Sequence, residues 1–178
     1  MRRQAWFDRL FKPEVELLDR SFQAIHNIAL WQRSTQAQVA LLYGDEALWT
    51  RAVDGDYGVR AQFKRGVTGD YLWYEQSMGY NSFVVVAVQP LLTFAGLLGE
   101  KARLHDEAAI AQNLMLAPVY LRFPDGTLPN PADANSIGRA STALLAQIYR
   151  ILPTTLGLVR AQTVRSWDAL LDPPGVIA

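Results

Sequence analysis

His26 and Asn27 stand side by side, with Trp31 four residues on. A carboxamide offers paired hydrogen-bond donors, and an indole offers a flat apolar surface on which a sugar ring can lie. In a helix, positions 27, 31, 34 and 38 share a face, so Asn27, Trp31, Ser34 and Gln38 would form a polar-aromatic stripe opposite the apolar one. Such a stripe suits a carbohydrate cleft. A solvated helix face with one tryptophan packed at an interface has the same spacing, so the stripe leaves both readings open.

A second run, Trp73-Tyr74-Glu75-Gln76-Ser77-Met78-Gly79-Tyr80, puts Glu75 and Tyr80 on either side of a glycine-assisted helix start, where side chains can face a cleft while a rigid element holds them. A tyrosine can give or take a proton, but with an ordinary pKa of about 10 it serves as a base near neutrality only beside a cation. Arg60 and Arg65 are the candidates for that cation. Aromatic packing alone also explains such a connector. In a third segment, Phe123 to Pro129, turn formation accounts for the Asp125-Gly126 pair.

Composition narrows the classes. The chain has 178 residues, 17 basic and 17 acidic, and so carries no basic footprint for nucleic acid or for an anionic membrane surface. Without cysteine there is no disulfide, no thiolate catalysis and no Cys-ligated zinc or iron–sulfur site; two histidines, His26 and His105, disfavour a multi-histidine metal centre. The start, Met1 to Arg9, is basic but has no apolar run behind it, so no secretory signal is read there. The one membrane-like stretch, Phe83 to Gly99, is uncharged, yet it carries Gln89 and Pro90 and is short for a spanning helix, so it reads as a buried core helix.

The elements that must position these residues are helical. From Pro13, a favoured first-turn residue, Val15, Leu18, Phe22 and Ile25 recur at three- and four-residue steps and predict one apolar helical face. A helix over about 30–43 follows, with Gly44 as its stop, and Asp45-Glu46 open a short helix through Val53. Next come a short helix at 57–67, an extended aromatic connector at 71–77, an apolar helix from Gly79 to Leu98 bent at Pro90, and a helix from about His105 to Arg122. Beyond a proline- and glycine-rich loop at 123–131, residues 134–151 and 154–171 read as a helical hairpin broken at Pro153, before an irregular tail. No hairpin turn pairs two strands. The expected class is all-α, a single domain over 1–178 made of stacked antiparallel helical hairpins.

Taken in order, these segments resemble the helical domain of the heparinase II/III-like and alginate-lyase group of polysaccharide lyases. The resemblance is carried by Asn27-x-x-x-Trp31 with Ala40-Leu41-Leu42-Tyr43-Gly44-Asp45-Glu46-Ala47-Leu48, by Trp73-x-Glu75-x-Ser77-x-x-Tyr80 and by Pro124-Asp125-Gly126-Thr127-Leu128-Pro129, and it covers about 25–140. It implies an (α/α) toroid whose inner helices line a groove for an acidic polysaccharide, usually followed by a β-sandwich region. It also implies that Asn27, with His26 beside it, neutralises the substrate carboxylate, and that Tyr80 protonates the leaving oxygen and in some members serves as base too. Trp31, Gln38, Trp73 and Glu75 are then the candidates for contacting the sugar. No metal or organic cofactor is required, and members of the group work in the periplasm or outside the cell.

The expected function is therefore cleavage of a uronate-containing glycan by β-elimination. A proton alpha to a carboxylate is very weakly acidic, and one preorganised donor on that carboxylate is worth roughly 3–4 kcal/mol of barrier. Two other classes compete. Members of the group bring a further histidine from later in the chain, whereas here only His105 lies beyond Tyr80 and it reads as a surface residue at a helix start; this favours a non-catalytic glycan-binding or scaffold domain. A glycoside hydrolase would need two facing carboxylic acids, for which Glu75 with Asp125 or Asp133 are the candidates. Roughly seven or eight helices fill only part of a toroid of about twelve, so the chain reads as part of a larger lyase or as a shortened relative, with an unclosed apolar side that favours self-association.

Overall fold

Apolar side chains at three- and four-residue steps build a first helical rod from three contiguous segments: α1 (Arg2–Trp6), a π-helical turn (Phe7–Phe11) and α2 (Lys12–Asp19), with Pro13 in the first turn of α2. Phe7 and Phe11 pack on Tyr43, with ring centroids 4.6 and 5.9 Å apart, and Val15 O accepts from Gln36 Nε2. The rod therefore runs antiparallel to α3 (Asn27–Tyr43). The computed structural model describes residues 2–129, 132, 138–140 and 142–163.

The rod is shorter than the apolar spacing predicts. Phe22 adopts a φ of 41°, which no helix continues through, and Phe22 and Ile25 lie in the loop before α3. Arg33 of α3 supplies the reason. Its guanidinium donates to Leu18 O, which also accepts from the N–H and hydroxyl of Ser21, and to Ser21 O just past the end of α2.

α3 begins at Asn27, earlier than the periodicity predicts, because His26 caps it. The His26 backbone is extended, and its Nδ1 accepts from the Ile28 N–H at 3.1 Å. At the other end Gly44 takes the left-handed conformation (φ 69°) expected of a glycine stop. Asp45 then caps α4 (Glu46–Trp49) through the Leu48 N–H, and a π-helical turn (Thr50–Asp54) and α5 (Val59–Gly66) follow. The helix expected to run regularly through Val53 thus changes to π-helical pairing at Thr50.

α6 (Met78–Leu97) and α7 (His105–Tyr120) are joined by a 3-10 turn (Lys101–Leu104) and lie antiparallel, with Asn81 near the start of α6 bonded to Leu114 O near the end of α7. α6 is long and apolar enough to cross a membrane by length and composition. It is nonetheless the central core helix: Val84, Val85, Val88 and Leu91 are fully buried, and it packs against both α3 and α7. It runs on through Pro90 rather than ending there. Trp31 meets Phe83 with ring centroids 5.5 Å apart, each within two turns of its own helix start, so α3 and α6 begin at the same end of the molecule.

In the C-terminal part α8 (Ala143–Gln147) and α9 (Thr155–Thr163) form a hairpin around Pro153, and Leu145, Ile148 and Leu152 join the core. The helix predicted over 134–151 is shorter than expected, since residues 148–152 turn. Residues 134–137 and 164–178 lie outside the described residues. Among the described residues there is no strand, only two isolated bridges, Val67 with Trp73 and Thr127 with Arg139. The class is all-α.

Candidate functional site

At the end where α3 and α6 begin, two irregular segments, 20–26 and 67–77, pack on one another. The second was expected to be an extended connector. It is instead a folded loop, because Tyr71 and Gln76 both take positive φ (56° and 61°) and reverse its course. Together with Phe22 these are all of the non-glycine residues of positive φ among those described, and all three sit in the two loops. Backbone in this region costs of order 1 kcal/mol or more per residue and persists where surrounding contacts impose it.

The contacts that impose it are polar side chains on the helices. Asn81, fully buried on α6, accepts from the Trp73 N–H at 2.9 Å and donates to Tyr71 O and Leu114 O. Leu114 O needs that donor, because Pro118, four residues on in α7, has no N–H to offer it. Gln62, buried on α5, does the same for the other loop: it donates to Ala24 O and Tyr57 O and accepts from the His26 N–H. Tyr74 ties the loops to each other, its hydroxyl donating to Ile25 O at 3.1 Å. Burial, and secondarily the negative charge of Glu75, hold the Tyr74 phenol above its ordinary pKa, so it stays protonated.

Between these anchors lies a cluster of three of the predicted residues. Glu75 Oε2 accepts from Asn27 Nδ2 at 2.9 Å and from Trp73 Nε1 at 2.7 Å. Asn27 is 6% exposed and Trp73 wholly buried, while Glu75 is half-buried. Among the described residues no hydrogen bond reaches Oε1 of Glu75. The Trp73 ring closes directly on Gly66, where a Cβ would lie 2.5 and 2.6 Å from two ring carbons and 3.1 Å from Ile25 Cγ2. Gly66→Ala is therefore expected to destabilise the fold by about 1–3 kcal/mol through overpacking, more than the helix-propensity gain of alanine, at most ~1 kcal/mol, returns. A thermal melt checks this; a midpoint at or above that of the wild type would mean the indole is not held where described.

The remaining predicted residues are placed as follows. His26 acts as the α3 cap, with its ring against Phe22 at 5.1 Å. Tyr80 is half-buried in the first turn of α6 and packs against the core. Trp31 packs on Phe83; its Nε1 and the hydroxyl of fully buried Ser34 are buried polar atoms without a hydrogen-bond partner among the described residues. The Gln38 amide donates to Ser34 O one turn back on its own helix and is not joined to the Asn27 cluster. The stripe 27–31–34–38 consequently faces the packed interior more than an open groove, because α3 is covered by α6 on that side.

Other expectations shift as well. Arg60 pairs with Asp54 and Glu107 and donates to Arg103 O, while Arg65 stacks on Tyr57 and donates to Asp56 O, so both guanidiniums have partners away from Tyr80. His105 is exposed beside Asp106, the surface position expected of it. Asp125 is exposed in its own turn, where the hydroxyl and then the N–H of Thr127 lower its carboxyl pKa, and no described contact joins it to Glu75. Asp133 lies outside the described residues. Among the described residues no group of three His, Asp or Glu side chains is arranged to hold a metal ion.

No protein-family model matches the chain, and no curated protein or solved structure matches it. The long-range polar anchors Asn81 and Gln62 were missed in the sequence, where Asn81 stands beside Ser82 in a mainly apolar helix that also carries Gln89 and Thr93.

Proposed function

We propose that the chain is a polysaccharide lyase module that cleaves a uronate-containing glycan by β-elimination, with its helical hairpins forming part of an (α/α) toroid. One observation carries the reading: the hydrogen bond from Asn27 to Glu75 brings the start of α3 against the loop that leads into the first turn of α6, so the amide and the Tyr80 phenol occupy the same end of the helix pair. On this reading Asn27, with His26 beside it, stabilises the enolate-like charge that develops on the substrate carboxylate when its alpha proton leaves. Tyr80 then gives its proton to the departing glycosidic oxygen, leaving a C4–C5 double bond on the new terminal uronate. Two helices that start together also fit the toroid, in which successive inner helices share a direction.

A second reading is favoured by a different fact. Asn27 is nearly buried and already bonded to a carboxylate, an arrangement equally suited to a glycan-binding or scaffold domain that turns nothing over. Incubation with alginate and with heparan sulfate separates the readings. The lyase is expected to raise ultraviolet absorbance from the unsaturated uronate. New reducing ends without that absorbance would replace it with a hydrolase, and binding with neither product would leave the scaffold.

A further inference from the structure

We infer that Glu75 is a positioning residue that fixes which way the Asn27 carboxamide points, and that it does not itself contact substrate. The inference gives Asn27 its purpose from the lyase reading above, but the device stands on geometry alone. A carboxamide has a donor end and an acceptor end of nearly the same shape, and only the donor end can meet an anionic carboxylate. An ionised carboxylate accepts and never donates, so Glu75 holds the nitrogen of Asn27 toward Oε2, and the second N–H of that nitrogen has no partner among the described residues. A neutral or absent group at 75 would let the amide turn over and present its oxygen.

Glu75 can do this because it is itself held. The Trp73 indole N–H reaches the same oxygen at 2.7 Å, and a charge-assisted bond of that length is strong. The indole cannot swing away, since Gly66 and Ile25 close on its ring and Asn81 grips its backbone N–H. Asn81 is the residue after Tyr80. An unbroken chain of contacts thus runs from the Asn27 amide through Glu75, Trp73 and Asn81 to the α6 turn that carries the phenol, and Glu75 is the link that joins this chain to α3. It is a positioning scaffold of the kind that keeps reacting groups in register.

A double-mutant cycle read out by stability, pH and turnover tests it. Asn27→Asp sets a second carboxylate against Glu75 and is expected to lower the thermal midpoint at neutral pH, with partial recovery below about pH 5, where one carboxyl keeps a proton and donates it to the other. Adding Glu75→Gln to Asn27→Asp restores an amide–carboxylate pair of reversed polarity and is expected to recover part of the midpoint at neutral pH, because an amide nitrogen facing the carboxylate at 27 cannot also accept the Trp73 indole N–H that shares that position. It should not recover turnover on a uronate glycan, because a carboxylate at position 27 offers the substrate carboxylate no donor. Glu75→Ala should lower kcat by about 10–100-fold with little change in KM, the range seen when an outer partner of a site is removed. In case the Asn27→Asp variants do not fold, the indole N–H proton resonance of Trp73 supplies an independent measure: it is expected far downfield in the wild type and shifted upfield in Glu75→Gln. Independent effects of the two substitutions on stability, or an indole resonance unmoved by Glu75→Gln, would overturn the inference. Coupled stability together with no unsaturated product from any uronate glycan would instead sustain the positioning device and remove the lyase reading.

Discussion

Replacing Tyr80 with phenylalanine is expected to lower turnover on a uronate glycan by about 10²–10⁴-fold, the usual worth of a positioned proton donor, while KM changes little. The alkoxide that leaves in β-elimination is far more basic than water can neutralise quickly at neutral pH, so loss of the phenolic proton falls on the transition state and not on the ground-state complex. The ring itself stays where it is, half-buried against the core in the first turn of α6, so the variant keeps its packing. A steady-state assay following the unsaturated product, run beside a thermal melt, separates lost chemistry from lost fold. A variant that keeps more than about a tenth of wild-type turnover falls outside the range for such a donor and takes Tyr80 out of the mechanism.

The second large effect concerns stability. Asn81→Ala leaves the buried Trp73 N–H and Leu114 O, and the part-buried Tyr71 O, without their side-chain partner. Each unsatisfied buried group costs about 1–3 kcal/mol, and Leu114 O has no second donor in reach of its own helix because Pro118 stands where that donor would be. The sum is on the order of 4 kcal/mol, which for a domain of this size lowers the thermal midpoint by roughly 10 °C. A calorimetric or circular-dichroism melt measures it. A shift of only a degree or two would mean that water takes over these bonds and that the loop is not anchored in the way described.

The difference between what the sequence disclosed and what it concealed follows the range of the interactions. The glycine stop at 44, the Asp45 cap and the apolar run of α6 are set by neighbours within one or two helical turns, and each lies where the local pattern puts it. The end of α2 does not, because Arg33, fifteen and twelve residues away, donates to Leu18 O and to Ser21 O just beyond it, and no local signal foretells that a charged residue turns inward. The candidate site behaves similarly. Asn27, Trp73 and Glu75 were legible as residue types, but the spacing suggested side chains aimed at a ligand, and the structure aims them at each other across 48 residues of chain. Helical periodicity places Gln38 on one stripe with Asn27, Trp31 and Ser34, and a carbonyl one turn back on the same helix takes its amide. Periodicity assigns a face and cannot say what covers it.

The anchoring of the 67–77 loop has a consequence for how the molecule tolerates change. Its course is dictated by Asn81, Gly66 and Asn27, all of which belong to helices, and by the Tyr74 hydroxyl on Ile25 O, while Tyr71 and Gln76 turn outward at the loop surface. Frame and lip are thereby separate inheritances: drift at the outward positions can retune what the molecule meets without loosening the frame, and a single change at an inward anchor undoes the loop however well its own residues are chosen.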